Sequence, residues 1–175
     1  MFERKDLRLK DYDYASPGMY FVTICTYGRV ERLSKIVGET LRGLPHAIVC
    51  YSRFGKVVDF RWRQIEKRFD NVSVGEYVIM PNHVHGIIEI HGRVTRGRPR
   101  RVSPTSLFDV LYWFKSITTS DYVHGVQQGS FDRFDKRLWQ RSYYDHIIRN
   151  NEDLIRIMKY IHENPSKWHD DEYYT

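Results

Sequence analysis

Apolar and polar residues alternate most cleanly in Met80-Pro81-Asn82-His83-Val84-His85-Gly86-Ile87-Ile88-Glu89-Ile90. Pro81-Asn82 closes the apolar run Tyr77-Val78-Ile79-Met80 and the alternation resumes at once, so the stretch reads as a turn feeding a strand. Residues two apart on a strand share a face. Val84, Gly86, Ile88 and Ile90 therefore point one way, and His83, His85, Ile87 and Glu89 the other. Residues 72–80 form a second long strand, joined to this one so tightly that an antiparallel pair is expected. Upstream, Met19-Tyr-Phe-Val-Thr-Ile-Cys-Thr26 is rich in β-formers and is the first strand. Residues 29–37 are a weaker extended segment, one arm of a small hairpin.

Elsewhere the apolar spacing changes to that of a helix. Phe54, Val57, Val58, Trp62, Ile65 and Phe69 predict a helix over residues 47–69, with Gly55 leaving its start open. Ser106-Leu-Phe-Asp109 has the form of an N-terminal cap with an acidic third position. Leu107, Val110, Leu111, Phe114 and Ile117 follow on the buried side of that helix. Residues 121–137, with Gly125, Gly129 and mixed charge, read as a loop. Residues 138–149 read as a further strand with an aromatic face available to stack bases. The last helix covers residues 150–164, acidic at Glu152-Asp153 where its positive dipole end lies, and Pro165 ends it. Its core stripe is Leu154, Ile157, Met158 and Ile161. At 100° per residue Tyr160 lies roughly 110° from the centre of that stripe, with Asn164 one turn further along the same side.

Composition adds a bias. The 175 residues, 41% of them hydrophobic, suit one domain over 1–175 with a real core. Lys and Arg outnumber Asp and Glu by 28 to 22, which favours polyanionic partners. Arg4, Lys5, Arg8 and Lys10 make a basic arm. Arg93, Arg96, Arg98, Arg100 and Arg101, punctuated by Gly97 and Pro99, make a basic loop at about 92–104. Such a loop suits a phosphate backbone and equally suits a solvated linker. Thirteen tyrosines supply stacking surface for single-stranded nucleic acid, or simply build the core. Cys25 and Cys50 lack metal spacing and read as reduced thiols of a cytoplasmic protein. No run approaches transmembrane length and the charged start is no signal peptide, so no membrane partner is expected.

Two imidazoles side by side on a strand are a ready bidentate metal site, and Tyr160 with Asn164 presents a hydroxyl and an amide together on a helix flank. Each has a plainer reading: polar residues on a half-exposed strand, a boundary tyrosine, a helix-end asparagine before proline.

Taken in order, the motifs resemble a known family. They are Asp11-Tyr12-Asp13-Tyr14 with Gly18 to Thr26, Tyr77-Val78-Ile79-Met80-Pro81-Asn82-His83-Val84-His85, Phe114-Lys115-Ser116, Leu138-Trp139-Gln140-Arg141-Ser142-Tyr143-Tyr144-Asp145-His146-Ile147-Ile148-Arg149, and Tyr160-Ile161-x-x-Asn164-Pro165. The chain resembles the single-tyrosine HUH transposases, and among them the REP-associated tyrosine transposases, over nearly its whole length apart from residues 92–104 and 121–137. The resemblance implies an α+β fold, a ferredoxin-like antiparallel sheet with helices packed against it. It implies an enzyme that nicks and rejoins single-stranded DNA at hairpins through a covalent 5′-phosphotyrosine, with Tyr160 as nucleophile, His83 and His85 as metal ligands and Asn164 as the third ligand. The metal expected is Mg²⁺ or Mn²⁺, and no nucleotide cofactor is implied. DNA contacts are expected from Arg96, Arg98, Arg100, Arg101, Lys115, Trp139, Gln140 and Arg141, and a monomer is preferred over a homodimer. Two other readings stay open: a non-catalytic hairpin-binding module on the same scaffold, and a metal-dependent hydrolase that uses water.

Overall fold

In the computed structural model of the chain, residues 12–37, 47–92 and 105–174 are described. Strand β1 (Gly18–Cys25) organises both layers. Tyr20, Val22 and Ile24 point to one side, and Met19 and Phe21 pack on the other. Strands β2 (Ser34–Val37) and β3 (Ile48–Tyr51) form a separate two-stranded ribbon. Helices α1 (Arg53–Arg63) and α2 (Ile65–Arg68) follow, then β4 (Val72–Ile79) and β5 (His83–Ile90). Helix α3 (Leu107–Gln127), β6 (Tyr144–Ile148) and α4 (Asn151–Glu163) complete the order. The main sheet runs β4-β5-β1-β6, and every adjacent pair is antiparallel. The protein is thus an α+β molecule with an antiparallel four-stranded sheet.

One face of the sheet is covered by α1 and α3. Phe54, Val58 and Trp62 of α1 and Leu107, Val110, Leu111 and Phe114 of α3 pack on Tyr20, Val22, Ile24, Val84, Ile88 and Ile90. The other face is covered by α4, whose Ile157 and Ile161 meet Phe21, Val78, Met80, Ile87 and Ile148. Strand β5 is the hinge of this arrangement because its alternation serves both layers. Gly86 must be glycine here: a Cβ would stand 2.3 Å from Cζ2 of Trp62, whose ring lies against the strand just after His85.

Several sequence expectations are corrected. The helix expected over residues 47–69 begins only at Arg53, because Ile48–Tyr51 is β3, paired with Ser34–Val37. Ser52 makes the boundary, its hydroxyl accepting from the Gly55 amide and donating to the Arg32 carbonyl. Gly55 does not disturb the helix; a Cβ there would meet the Leu33 carbonyl oxygen at 1.9 Å, so it is a packing requirement. Ser106 and Asp109 form the expected capping box. The first part of the loop expected at 121–137 is helix, since α3 runs on to Gln127 through buried Thr118, Tyr122 and Gly125. Gly125 lies under the Phe131 ring, at 2.1 Å from a would-be Cβ, and so reads falsely as part of a loop. The strand expected over 138–149 is confined to Tyr144–Ile148, with Trp139 only bridged to Thr26. The last α-helix stops at Glu163, just before Asn164-Pro165 as expected, and the chain continues as a 3-10 segment, Asn164–Asp170, with Pro165 in its first turn. Met158 is more exposed than a core stripe allows, at 38%. The basic arm at Arg4, Lys5, Arg8 and Lys10, and Arg93, Arg96, Arg98, Arg100 and Arg101, lie outside the described residues. Among the described residues no helix is long and apolar enough to cross a membrane.

Candidate metal and tyrosine site

The turn before β5 is built to aim the histidines. The Met80 amide donates to the His83 carbonyl at 2.8 Å, and the Thr26 amide to the Asn82 carbonyl at 2.8 Å, locking the Pro81-Asn82 corner onto the end of β1. Asn82 is fully buried and uses its whole amide. Its Nδ2 donates to the Arg29 carbonyl at 3.1 Å and the Tyr173 carbonyl at 2.8 Å, so Oδ1 is left to accept from His83 Nδ1 at 2.8 Å. That bond fixes the His83 proton on Nδ1 and leaves Nε2 as a bare lone pair, the state a metal ligand needs. Asn82 reads from sequence as a turn residue only, and this positioning role is carried by the fold.

His85 lies opposite Thr23 in the sheet, and its Nδ1 is 2.8 Å from the Thr23 hydroxyl. The two Nε2 atoms face each other at 2.9 Å. Both rings are buried rather than half-exposed, at 0% and 1%. Burial holds His85 neutral, its pKa lowered to about 3. Burial, then His85 and Arg29, lower that of His83 well below the usual value. The Phe21 ring stacks on His85 with centroids 5.4 Å apart.

Helix α4 brings the tyrosine. Its N-cap Asn150 accepts from the Asp153 amide, and its buried Ile157 and Ile161 seat it on the histidine face of the sheet. Tyr160 stands on the flank, 42% exposed, with its hydroxyl 3.3 Å from His85 Nε2. Burial of the hydroxyl, then the charges of Asp171 and Glu172, push its pKa up to about 12. Asn164, one turn on, is buried; its Nδ2 donates to Asp171 at 2.8 Å, and its Oδ1 is buried without a hydrogen-bond partner. The structure therefore brings together all of His83, His85, Tyr160 and Asn164.

It adds a residue that sequence reasoning missed. The chain turns back after the 3-10 segment and places an Asp171 carboxylate oxygen 4.0 Å from His83 Nε2. One ligand atom from each of His83, His85 and Asp171 lies within 4.8 Å of the others. Asp171 is held by the Tyr173 amide at 2.7 Å. Tyr173 lies over His83, ring centroids 4.6 Å apart, with the Arg29 guanidinium carbon 5.2 Å from the centroid of the Tyr173 ring. The signal for Asp171 is the Asp170-Asp171-Glu172 run, an acidic cluster just past the Tyr160-Asn164-Pro165 motif in a basic chain.

The residues present fit a divalent cation. Neutral imidazole nitrogens face one another, a carboxylate stands beside them, and the Asn164 carbonyl oxygen is orphaned in the same pocket. A buried carbonyl without a partner costs free energy that a cation would recover.

The expected DNA contacts divide. Trp139 is not a stacking surface: it is 4% exposed, and its Nε1 donates to Thr118 at 2.9 Å within the core. Lys115 donates from Nζ to the Gln140 and Ser142 carbonyls, each at 3.0 Å, and so clamps the segment before β6. Gln140 is half-buried with its backbone N–H donating to the Cys25 carbonyl, and Arg141 is exposed. Arg96, Arg98, Arg100 and Arg101 lie outside the described residues.

This sheet, with helices on both faces, has known counterparts. A structure of a REP-associated tyrosine transposase bound to a REP hairpin superposes with a TM-score of 0.51 over 92% of this chain and 74% of that one, at 17% identity. The chain has the fold of the REP-associated tyrosine transposases, as its motifs led us to expect. No family model matches it. In sequence it is 32% identical to an uncharacterized protein of Haemophilus influenzae, across 98% of this chain and 93% of that protein, and the two belong to one family.

Proposed function

We propose that the protein is a metal-dependent DNA-nicking and strand-joining enzyme of transposase type, acting on single-stranded DNA at hairpins. The observation that carries this reading is the Tyr160 hydroxyl 3.3 Å from a His85 nitrogen that itself faces His83 at 2.9 Å. A nucleophile and a pair of ligand atoms are thereby held by one helix and one strand of a rigid core. The solved structure with the same fold holds a hairpin, and the excess of basic residues suits the same class of ligand here.

His83, His85, Asp171 and Asn164 would hold the metal. A bound Mg²⁺ or Mn²⁺ supplies charge neutralisation of a phosphodiester and orients it for in-line attack. The chain does the rest. With a pKa near 12, Tyr160 keeps its proton at neutral pH and parts with it as its oxygen bonds phosphorus. The P–O3′ bond breaks, leaving a 5′-phosphotyrosine and a 3′ oxygen that leaves as a hydroxyl. The phosphotyrosine conserves the bond so that a 3′ hydroxyl can reverse it. Phe21, packed against both His85 and Tyr160, fixes their separation.

The test is incubation with labelled hairpin DNA and Mn²⁺, followed by denaturing electrophoresis. A covalent protein–DNA adduct supports the reading. Cleavage without adduct points to water as nucleophile, and retention without cleavage to a binding module; either outcome overturns it.

A further inference from the structure

Beside the tyrosine lies an aromatic ring that the proposed chemistry does not use. Tyr144 sits on β6, the outer strand of the sheet, opposite Thr23, the same threonine whose hydroxyl meets His85. It is 45% exposed. The Phe21 ring is the hub between the two tyrosines: edge contacts join it to Tyr144 at 6.4 Å and to Tyr160 at 5.9 Å. Tyr144 therefore stands one ring away from the proposed attacking oxygen, on the same face of the sheet, with much of its surface in solvent.

Past β6, a cleft of about 660 Å³ opens between the strand and the start of α4. Its charge is informative. Asp145, Glu152 and Asp153 stand among Arg149, Arg156 and His146, so acidic side chains are at least as many as guanidinium groups. Arg156 and His146 are already tied to Asp153, His146 at 2.7 Å. Such a cleft gives no net attraction to a phosphate. It offers donors and acceptors side by side, which is what the edge of a nucleobase requires.

We propose that Tyr144 and this cleft form a nucleobase subsite, in which the base flanking the phosphate presented to Tyr160 stacks on Tyr144 and projects its edge toward the β6–α4 cleft. The proposal rests on the reading of Tyr160 as the group that attacks DNA, and it assigns base selection next to that phosphate to the β6 side of the molecule. Trp139, buried in the core, takes no part.

The experiment has two arms on the full chain. In the first, hairpin DNA with a randomised single-stranded flank and Mn²⁺ is offered to the protein, and the DNA trapped in adducts is sequenced. In the second, affinity for the same pool is measured by fluorescence anisotropy in a Tyr160→Phe background, where no chemistry intervenes. Stacking of one base on an aromatic ring is worth about 1–3 kcal/mol, so Tyr144→Ala should weaken binding on the order of tenfold. The same variant should flatten a base preference next to the joined phosphate, and Tyr144→Phe should retain both properties. Melting temperatures of these variants should match, because the ring is exposed. Unchanged affinity and preference in Tyr144→Ala overturn the subsite even where adducts form. Weakened binding without any adduct from the unmodified protein keeps the subsite and overturns the nicking reading. Absence of DNA binding overturns both.

Discussion

The Nε2 atoms of His83 and His85 face each other across 2.9 Å in a pocket that solvent does not reach. Two bare imidazole lone pairs at that separation repel, so the pair needs a proton between the rings or a cation before both. Asn82 holds the His83 proton on Nδ1, which leaves His85 to choose. Metal-free, His85 carries its proton on Nε2 and accepts from Thr23. With a cation, its proton moves to Nδ1 and Thr23 accepts. Thr23 thus serves both states.

Thr23→Val removes this partner while keeping the β-branched shape. Support of this kind around a metal ligand is worth about 10–100-fold in affinity. Titration calorimetry with Mn²⁺ should show a loss in that range; undiminished affinity would mean that Thr23 does not orient His85.

Asp171→Asn keeps the hydrogen bond to Asn164 in reach and removes a negative charge. Mn²⁺ affinity should fall. The Tyr160 hydroxyl should titrate at lower pH, because Asp171 is among the groups that raise its pKa. Ultraviolet difference titration against a Tyr160→Phe reference isolates that tyrosine, and an unmoved titration would place Asp171 elsewhere in solution.

Gly86→Ala introduces a methyl where Trp62 already lies. Overpacking of a closed core costs about 1–3 kcal/mol, and each kcal/mol lowers the melting temperature of a chain this size by roughly 2–4 °C. Calorimetry should record a drop of several degrees. Mn²⁺ affinity should fall with it, since the displaced strand carries both histidines. A variant as stable as the parent would contradict the close approach.

Acid should weaken the metal-free fold through these same rings. Their pKa values are lower folded than unfolded, so between about pH 6.5 and 3 the unfolded chain binds more protons. The neutral pair is compatible with full stability above about 6.5, and stability falls as pH drops toward 3. Urea unfolding across that window should show a declining midpoint, with a shallower decline in a His83→Asn, His85→Gln double variant. Equal slopes in the two proteins would count against buried neutral histidines.

The parts of the site that follow local periodicity were legible in the sequence. His83 and His85 share a face because strands alternate, and Tyr160 and Asn164 share a flank because helices turn every 3.6 residues. Asp171 was not legible, because it reaches the site through a reversal after the 3-10 segment and no periodicity links it to Asn164. Glycine misled twice: Gly55 left the start of its helix open and Gly125 read as part of a loop, yet each sits inside a helix where a neighbour comes too close for a Cβ. Strand β3 was hidden because its apolar residues run straight into the helical spacing of Phe54 and Val58. Trp139 illustrates the limit of composition, since an aromatic beside Gln140 and Arg141 suits DNA equally well until its burial against Thr118 is known.

The central claim is that the Tyr160 oxygen becomes bonded to DNA, and mass spectrometry of the trapped adduct tests it most directly. The unmodified protein with hairpin DNA and Mn²⁺ should yield a nucleotide-modified peptide whose mass shift maps to Tyr160. Tyr160→Phe, which keeps the ring packed on Phe21 and His85, should bind hairpin DNA and melt as the parent does while forming no adduct. DNA mapped to Tyr143, Tyr144 or Tyr173, or adduct persisting in Tyr160→Phe, would contradict the account.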